Sequence, residues 1–167
     1  LGPVDLIGPV TPTAKQFPAT LTPSSVCYVS HQDLASAVTE CQAFVAAVEV
    51  LVAAEYDLLA ERTVSLGRRN AKERMAHLLL ELFDRLGRVG LVSGYSYELP
   101  LTQEIISDAL GLSVVHVNRT LRRLREDEIV SISDGRVMIC DMERLVGMAD
   151  AGDQFSVVGP YDAILDS

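Results

Sequence analysis

Thr102–Leu124 constrains this chain more than any other segment, because two short helical patterns meet there at a glycine. Thr102 can cap the first helix, and Gln103 and Glu104 suit its positive N-terminal end. Ile106 and Leu110 repeat on one side, with the small Ser107 beside them where a second helix must cross closely. Gly111 falls where a tight helix-to-helix turn needs a positive φ, which glycine adopts without Cβ strain. Leu112 plugs the turn and Ser113 caps the second helix, in which Val117, Leu121 and Leu124 share the core-facing side. The pattern predicts a helix-turn-helix.

The second helix then carries Val114, Val115, Asn118, Arg119 and Arg122 on its outer side. A helix that reads a DNA groove needs this division, with apolar anchors behind and hydrogen-bond donors in front. Arg119 can offer two donors to guanine O6 and N7, and Asn118 can pair with adenine. Val114 and Val115 offer methyl contacts, to thymine for instance, and His116 stands at the helix start. These five are the expected base contacts. Ser113, Arg122 and Arg123, with Thr102 from the first helix, suit phosphates and would set register without reading sequence. A bare arginine-rich helix is more often a solvated face. Here the arginines coincide with the glycine turn, the small Ser107 and the capping serine, and the joint pattern favours the reader.

The net charge of −9 argues against a nucleic-acid partner only if it is spread evenly, and it is not. Leu66–Met148 carries twelve basic and twelve acidic residues, whereas the rest carries two basic residues (Lys15 and Arg62) against eleven acidic ones. Within His116–Arg125 there are four arginines and no acid. Local charge on the binding face is what a polyanion meets.

Around this centre we expect a mainly α chain with a small β component. Residues 1–30 hold five of the seven prolines and short β-type runs such as Val26–Val29, which predicts the end of a β-rich domain. Thirty such residues cannot fold alone, and the chain starts without an initiator Met, so the first part of that domain is expected upstream of Leu1. Residues 31–66 read as helical: Gln32–Val38, then a long helix from about Cys41 to Ser65. Its apolar stripe is wide enough for both its own domain and a partner helix, with Phe44, Val48, Leu51, Val52 and Leu58 as the expected dimer interface. Gly67 is a candidate hinge. From 67 to 148 a compact domain is expected. Its first helix starts at Asn70 in a capping-box arrangement with Glu73 and stops at Gly87; a loop covers Gly87–Tyr97, and a short strand Glu98–Leu101. Beyond the helix-turn-helix, Asp134-Gly135 joins β-type runs Ile129–Ser133 and Arg136–Cys140, a strong hairpin signal, and Asp141 caps a helix to about Met148. This order is that of a winged helix. The tail 149–167 is acidic and shows no clear period.

Other chemistries find little support. Cys27, Cys41 and Cys140 are isolated, which suits reduced thiols better than a metal or iron–sulfur site. His31, His77 and His116 are likewise isolated, and no nucleophile elbow, P-loop or dinucleotide fingerprint occurs. No catalytic residue, metal ligand or cofactor is therefore expected. No apolar run approaches the ~20 residues that cross a bilayer, and Leu1-Gly2-Pro3 lacks the basic and apolar regions of a signal peptide. A cytoplasmic place is expected.

The residues Leu99–Glu104, Ala109–Ser113 and Val115–Leu124 resemble the Crp/Fnr superfamily of bacterial transcription regulators, and Arg74–Leu79 resembles the helix entering that family's DNA-binding domain. The likeness is strong over about Asn70–Asp141, fair over the long helix and weak before His31. It implies a parallel homodimer joined through the long helix, an N-terminal β-roll sensor of which residues 1–30 are the last part, and a double-stranded DNA partner, with RNA polymerase as a further candidate. Cyclic-nucleotide-binding members carry an arginine and an earlier glutamate for the cyclic phosphate and ribose. Here Phe17 stands where the arginine is expected in Gln16–Thr20, and no glutamate precedes Glu40, so cyclic-nucleotide binding in the usual mode is not expected. Val114 and Val115 replace the polar base-reading residues of the best-known members, which predicts a different target sequence. The reading is thus a homodimeric, sequence-specific DNA-binding regulator, with a winged-helix protein–protein interaction module as the alternative.

Overall fold

The computed structural model describes residue 25 and residues 27–149; the expected β-roll remnant, Gln16–Thr20 and the tail beyond Ala149 lie outside the described residues. Among the described residues six helices and four strands follow in order. They are α1 (His31–Glu40), α2 (Gln42–Arg68), α3 (Ala71–Arg88), β1 (Val92–Ser93), β2 (Ser96–Glu98), α4 (Gln103–Leu110), α5 (Val114–Glu126), β3 (Val130–Ser133), β4 (Arg136–Ile139) and α6 (Met142–Met148). Two units divide the chain between Thr63 and Val64.

The first unit contains α1 and most of α2. Ser30 caps α1 by accepting from the Asp33 N–H at 3.1 Å. Along α2, Phe44, Val45, Val48, Leu51 and Leu58 are half-buried within the single chain. Val52, Tyr56 and Leu59 are 52%, 72% and 60% exposed. Four of the five expected interface residues therefore lie on the half-buried side, and only Val52 on the open one. The apolar pattern of α2 is wide enough for two stripes, and periodicity could not say which of them the chain itself uses.

The second unit, from Val64, is the winged helix. Asn70 caps α3 by accepting from the Lys72 and Glu73 N–H groups, while Glu73 accepts from the Asn70 N–H at 2.7 Å. That reciprocal box is the one the sequence predicts. Gly67 lies inside α2, so the break between α2 and α3 falls at Arg69-Asn70 and not at the expected glycine hinge. At the other end α3 runs through Gly87 to Arg88, and the stop is Gly90 at φ +74°. Leu91 N–H donates to Leu86 O and Gly90 N–H to Gly87 O, which satisfies the last carbonyls with a left-handed residue. Gly87 itself stays helical.

The expected loop Gly87–Tyr97 holds a miniature hairpin, in which β1 pairs with β2 through Val92↔Tyr97 and Ser93↔Ser96. The expected strand Glu98–Leu101 is displaced to Ser96–Glu98, because Pro100 has no N–H for a ladder and Leu99 N–H instead reaches Gly135 O at 2.7 Å. The antiparallel sheet has the order β1-β2-β4-β3. Asp134 and Gly135 both take positive φ, +51° and +72°, as a tight turn between β3 and β4 requires.

One row of the sheet, formed by Val92, Tyr97, Val137 and Ile132, faces the helices. The core there joins Met75, Leu79 and Phe83 of α3 to Val117 and Leu124 of α5, with Leu145 of α6 closing one side. Tyr97 is its largest fully buried side chain. Its hydroxyl donates to Leu79 O at 2.9 Å, and its ring meets Phe83 edge-on with centroids 6.0 Å apart. Burial pushes its phenol far above the ordinary range. The folded state therefore keeps this proton after the unfolded chain, with an ordinary value near 10, has begun to lose it. Stability should fall as pH rises past about 10, and thermal melts from pH 8 to 11 should show a shallower fall in Tyr97→Phe. At neutral pH that variant should lose only about 1 kcal/mol, the net worth of one hydrogen bond.

Candidate nucleic-acid interface

The geometry of α5 starts from the turn that precedes it. Thr102 caps α4 by accepting from the Ile105 N–H at 3.3 Å. Gly111 ends α4 at φ +60°, ψ +39°, and Leu112 N–H closes the turn on Ser107 O at 2.9 Å. A Cβ on Gly111 would lie 3.2 Å from the Leu66 side chain, so a side chain there meets both backbone strain and a neighbour. Ser107 is buried where the helices approach, and its hydroxyl donates back to Glu104 O at 2.8 Å. Ser113 accepts from the His116 N–H at 3.3 Å and starts α5.

Val117, Thr120, Leu121 and Leu124 lock the inner side of α5 into the core. Thr120 escaped the sequence reading because its chemistry is polar while its position is apolar. Two cationic side chains hold the far end. Arg144 donates to Asp127 O at 3.0 Å, and Lys72 pairs with the Asp127 carboxylate at 3.2 Å. Positive charge at a helix C-terminus meets the negative end of its dipole.

On the outer side Val115 is 75% exposed, and Asn118, Arg119 and Arg123 are exposed with it. Among the described residues, no hydrogen bond or ion pair occupies Asn118 or Arg119. Val114 differs from expectation: it is half-buried, because it lies seven residues before Leu121 at the edge of the inner stripe. His116 is exposed, with its ring Nδ1 3.3 Å from the Ser113 hydroxyl. Arg122 pairs with Glu126 at 2.7 Å on open surface, where such a pair contributes about 0–1 kcal/mol and gives way easily to a phosphate. The position of Thr102 suits a phosphate less well. Glu104 beside it is held below the usual carboxylate range by its own backbone N–H and by the Thr102 hydroxyl, so a negative charge stands next to the cap.

A Crp-like helix-turn-helix domain matches residues 73–148. The winged helix belongs to the Crp/Fnr superfamily. The transcriptional activatory protein AadR of Rhodopseudomonas palustris is 33% identical over 97 residues, which make up 58% of this chain and 40% of that protein. A probable transcriptional activator of Rhizobium leguminosarum bv. viciae is 29% identical over 131 residues, 78% of this chain and 54% of that one. Among solved structures, FixK2 from Bradyrhizobium japonicum superimposes with a TM-score of 0.63 at 26% identity, covering 72% of this chain and 59% of that one. The chain thus spans about half the length of the curated relatives it matches.

In this Crp/Fnr domain, sequence reasoning missed the side chains that hold α5 without touching its outer side: Lys72, Arg144 and, at the turn, Arg74. Their signal was weak, since each is a long cation on a helix and each bonds to a backbone carbonyl or a loop carboxylate remote in sequence. No group of His, Cys, Asp and Glu among the described residues could hold a metal ion, and no described helix is long and apolar enough to cross a membrane. Arg119→Ala should weaken binding to the preferred duplex by about 1–3 kcal/mol and relax preference at one base pair, as read by competition binding against single-base variants. Unchanged preference would move the base-reading role away from Arg119.

Proposed function

We propose that this chain is part of a homodimeric, sequence-specific DNA-binding transcription regulator that reads the major groove with α5. One observation carries the reading. The inner side of α5 is locked into the core, while Asn118 and Arg119 stand exposed on its outer side with no partner among the described residues. A helix of 13 residues, about 20 Å long, lies comfortably in a groove about 12 Å wide.

In this reading Arg119 donates to a guanine, Asn118 pairs with an adenine or bonds to a phosphate, and Val115 meets a thymine methyl. His116 reaches a base edge or the backbone at the entry of the helix, and the half-buried Val114 supports Val115 more than it reads. Ser113, Arg122 and Arg123 hold phosphates and set register, with Thr102 in a lesser part. A dimer places two such helices in successive major grooves about one helical turn apart. The names of the relatives include transcriptional activators, which makes RNA polymerase the further partner to test. A cytoplasmic place and the absence of an enzymatic role belong to the same reading.

For the dimer we assign the open stripe Val52, Tyr56, Leu59 and Thr63, whose steps of four, three and four residues are those of a coiled-coil seam. Of the first-expected set it keeps Val52, whereas Phe44, Val48, Leu51 and Leu58 lie on the half-buried side of α2. Duplex affinity should fall steeply between about 50 and 200 mM salt, since each phosphate neutralised releases counterions. No duplex binding at low salt would return the winged helix to a protein-interaction role. Tyr56→Glu should convert the dimer to monomers in sedimentation with helicity retained; a persisting dimer would put the interface elsewhere.

A further inference from the structure

Val115 is out of keeping with the face on which it stands. At 75% it is the most exposed large apolar side chain described in the winged helix. It lies in the first turn of α5, with Asn118 and Arg119 three and four residues on, so the three share one side of the helix. Four arginines and no acid occur within His116–Arg125, and a polyanion is the partner that such a side attracts. The register of α5 is fixed by Val117, Leu121 and Leu124 in the core, with Val114 half-buried at the edge of the inner stripe. That register holds Val115 outside, among hydrogen-bond donors.

The major groove offers a valine little to touch. Purines present N7 there with O6 or an amino group, cytosine presents its amino group, and thymine presents O4 and the C5 methyl. Covering an acceptor or an amino group with hydrocarbon removes its water and returns no hydrogen bond, which is unfavourable. The C5 methyl is the one aliphatic group on these edges, and 5-methylcytosine carries it in the same place as thymine. A β-branched side chain in a helix also keeps essentially one χ1 rotamer, so the valine methyls are held in place before any contact is made.

We propose that Val115 is a reader of the pyrimidine 5-methyl group, so that at the base pair beside it methylation of cytosine at C5 raises affinity as thymine does. The inference rests on the DNA-reading function proposed above and names the group that Val115 recognises. Having neither donor nor acceptor, Val115 bonds to neither thymine O4 nor the cytosine amino group, and the methyl is what it senses. Four residues of helix span about 6 Å and stacked base pairs about 3.4 Å, so that methyl lies within about two base pairs of the guanine bound by Arg119.

The test measures binding of the full chain to a duplex recovered from a random pool, with one base exchanged at a time. Thymine to uracil removes the methyl and leaves every hydrogen-bonding edge in place; cytosine to 5-methylcytosine adds it. Near the guanine whose preference Arg119→Ala relaxes, the methyl should raise wild-type affinity about fourfold in one half-site in both exchanges. Changing both halves of a symmetric site should give about fifteenfold. In Val115→Ser, with helicity retained by circular dichroism, both ratios should fall to about one. Each ratio is taken within one protein, so a general weakening cancels, and low salt keeps a weakened variant measurable. Wild-type binding indifferent to the methyl at every pyrimidine near that guanine would overturn the proposal. So would a ratio that survives in Val115→Ser, since another side chain would then be the reader. If wild type binds no duplex at all, the proposed function itself is wrong, and that failure is visible before any methyl is compared.

Discussion

The left-handed turn at Gly111 is the constraint from which the rest of the winged helix is arranged. It reverses the chain between α4 and α5 in three residues, and it does so at a conformation that costs an L side chain about 1 kcal/mol or more. Because the position has no Cβ, Leu66 can lie against it and Arg74 can reach the carbonyl just before it. With the turn set, the positions of Val117, Leu121 and Leu124 in the core follow from helical spacing, and the outer side of α5 is what remains.

An acidic chain can present a basic face because charge acts locally within a Debye length of about 8–10 Å at moderate salt. Two of the acids at the far end of α5 are paired with cations. Glu126 pairs with Arg122 and Asp127 with Lys72. Among the described residues Arg119 and Asn118 have no such partner, and the arginines around them give that side its sign. The long cations Lys72, Arg74 and Arg144 work behind this face, on helix ends and on the loop that follows α5. They are structural in effect and electrostatic in origin.

How far the sequence could be read depended on whether the deciding interaction was local. The capping box at Asn70 and Glu73, the caps at Thr102, Ser113 and Asp141, and the Asp134-Gly135 turn are contacts within four residues, and each was legible. The stop of α3 falls at Gly90 and not at Gly87, since two glycines compete there and only Gly90 sits where Leu91 can also reach back to Leu86. The β1–β2 hairpin was missed because two paired residues leave almost no alternation to detect. Val114 lies on the border of two helix faces, where a wheel gives no answer. On α2 the spacing showed one wide apolar stripe and could not say which part of it is half-buried within the single chain.

What the sequence determined by itself is the local grammar: where helices begin and turn, which residues of α5 point inward, and hence that a basic outer side exists. Those follow from backbone sterics and from hydrogen bonds between near neighbours, which any chain with these residues must satisfy. The tertiary structure alone decided that Arg74 joins the ends of α2 and α4, that Lys72 and Arg144 converge on Asp127, and that Phe44, Val48, Leu51 and Leu58 turn away from the open stripe. These depend on groups far apart along the chain being brought within a few ångströms, and periodicity carries no information about that distance.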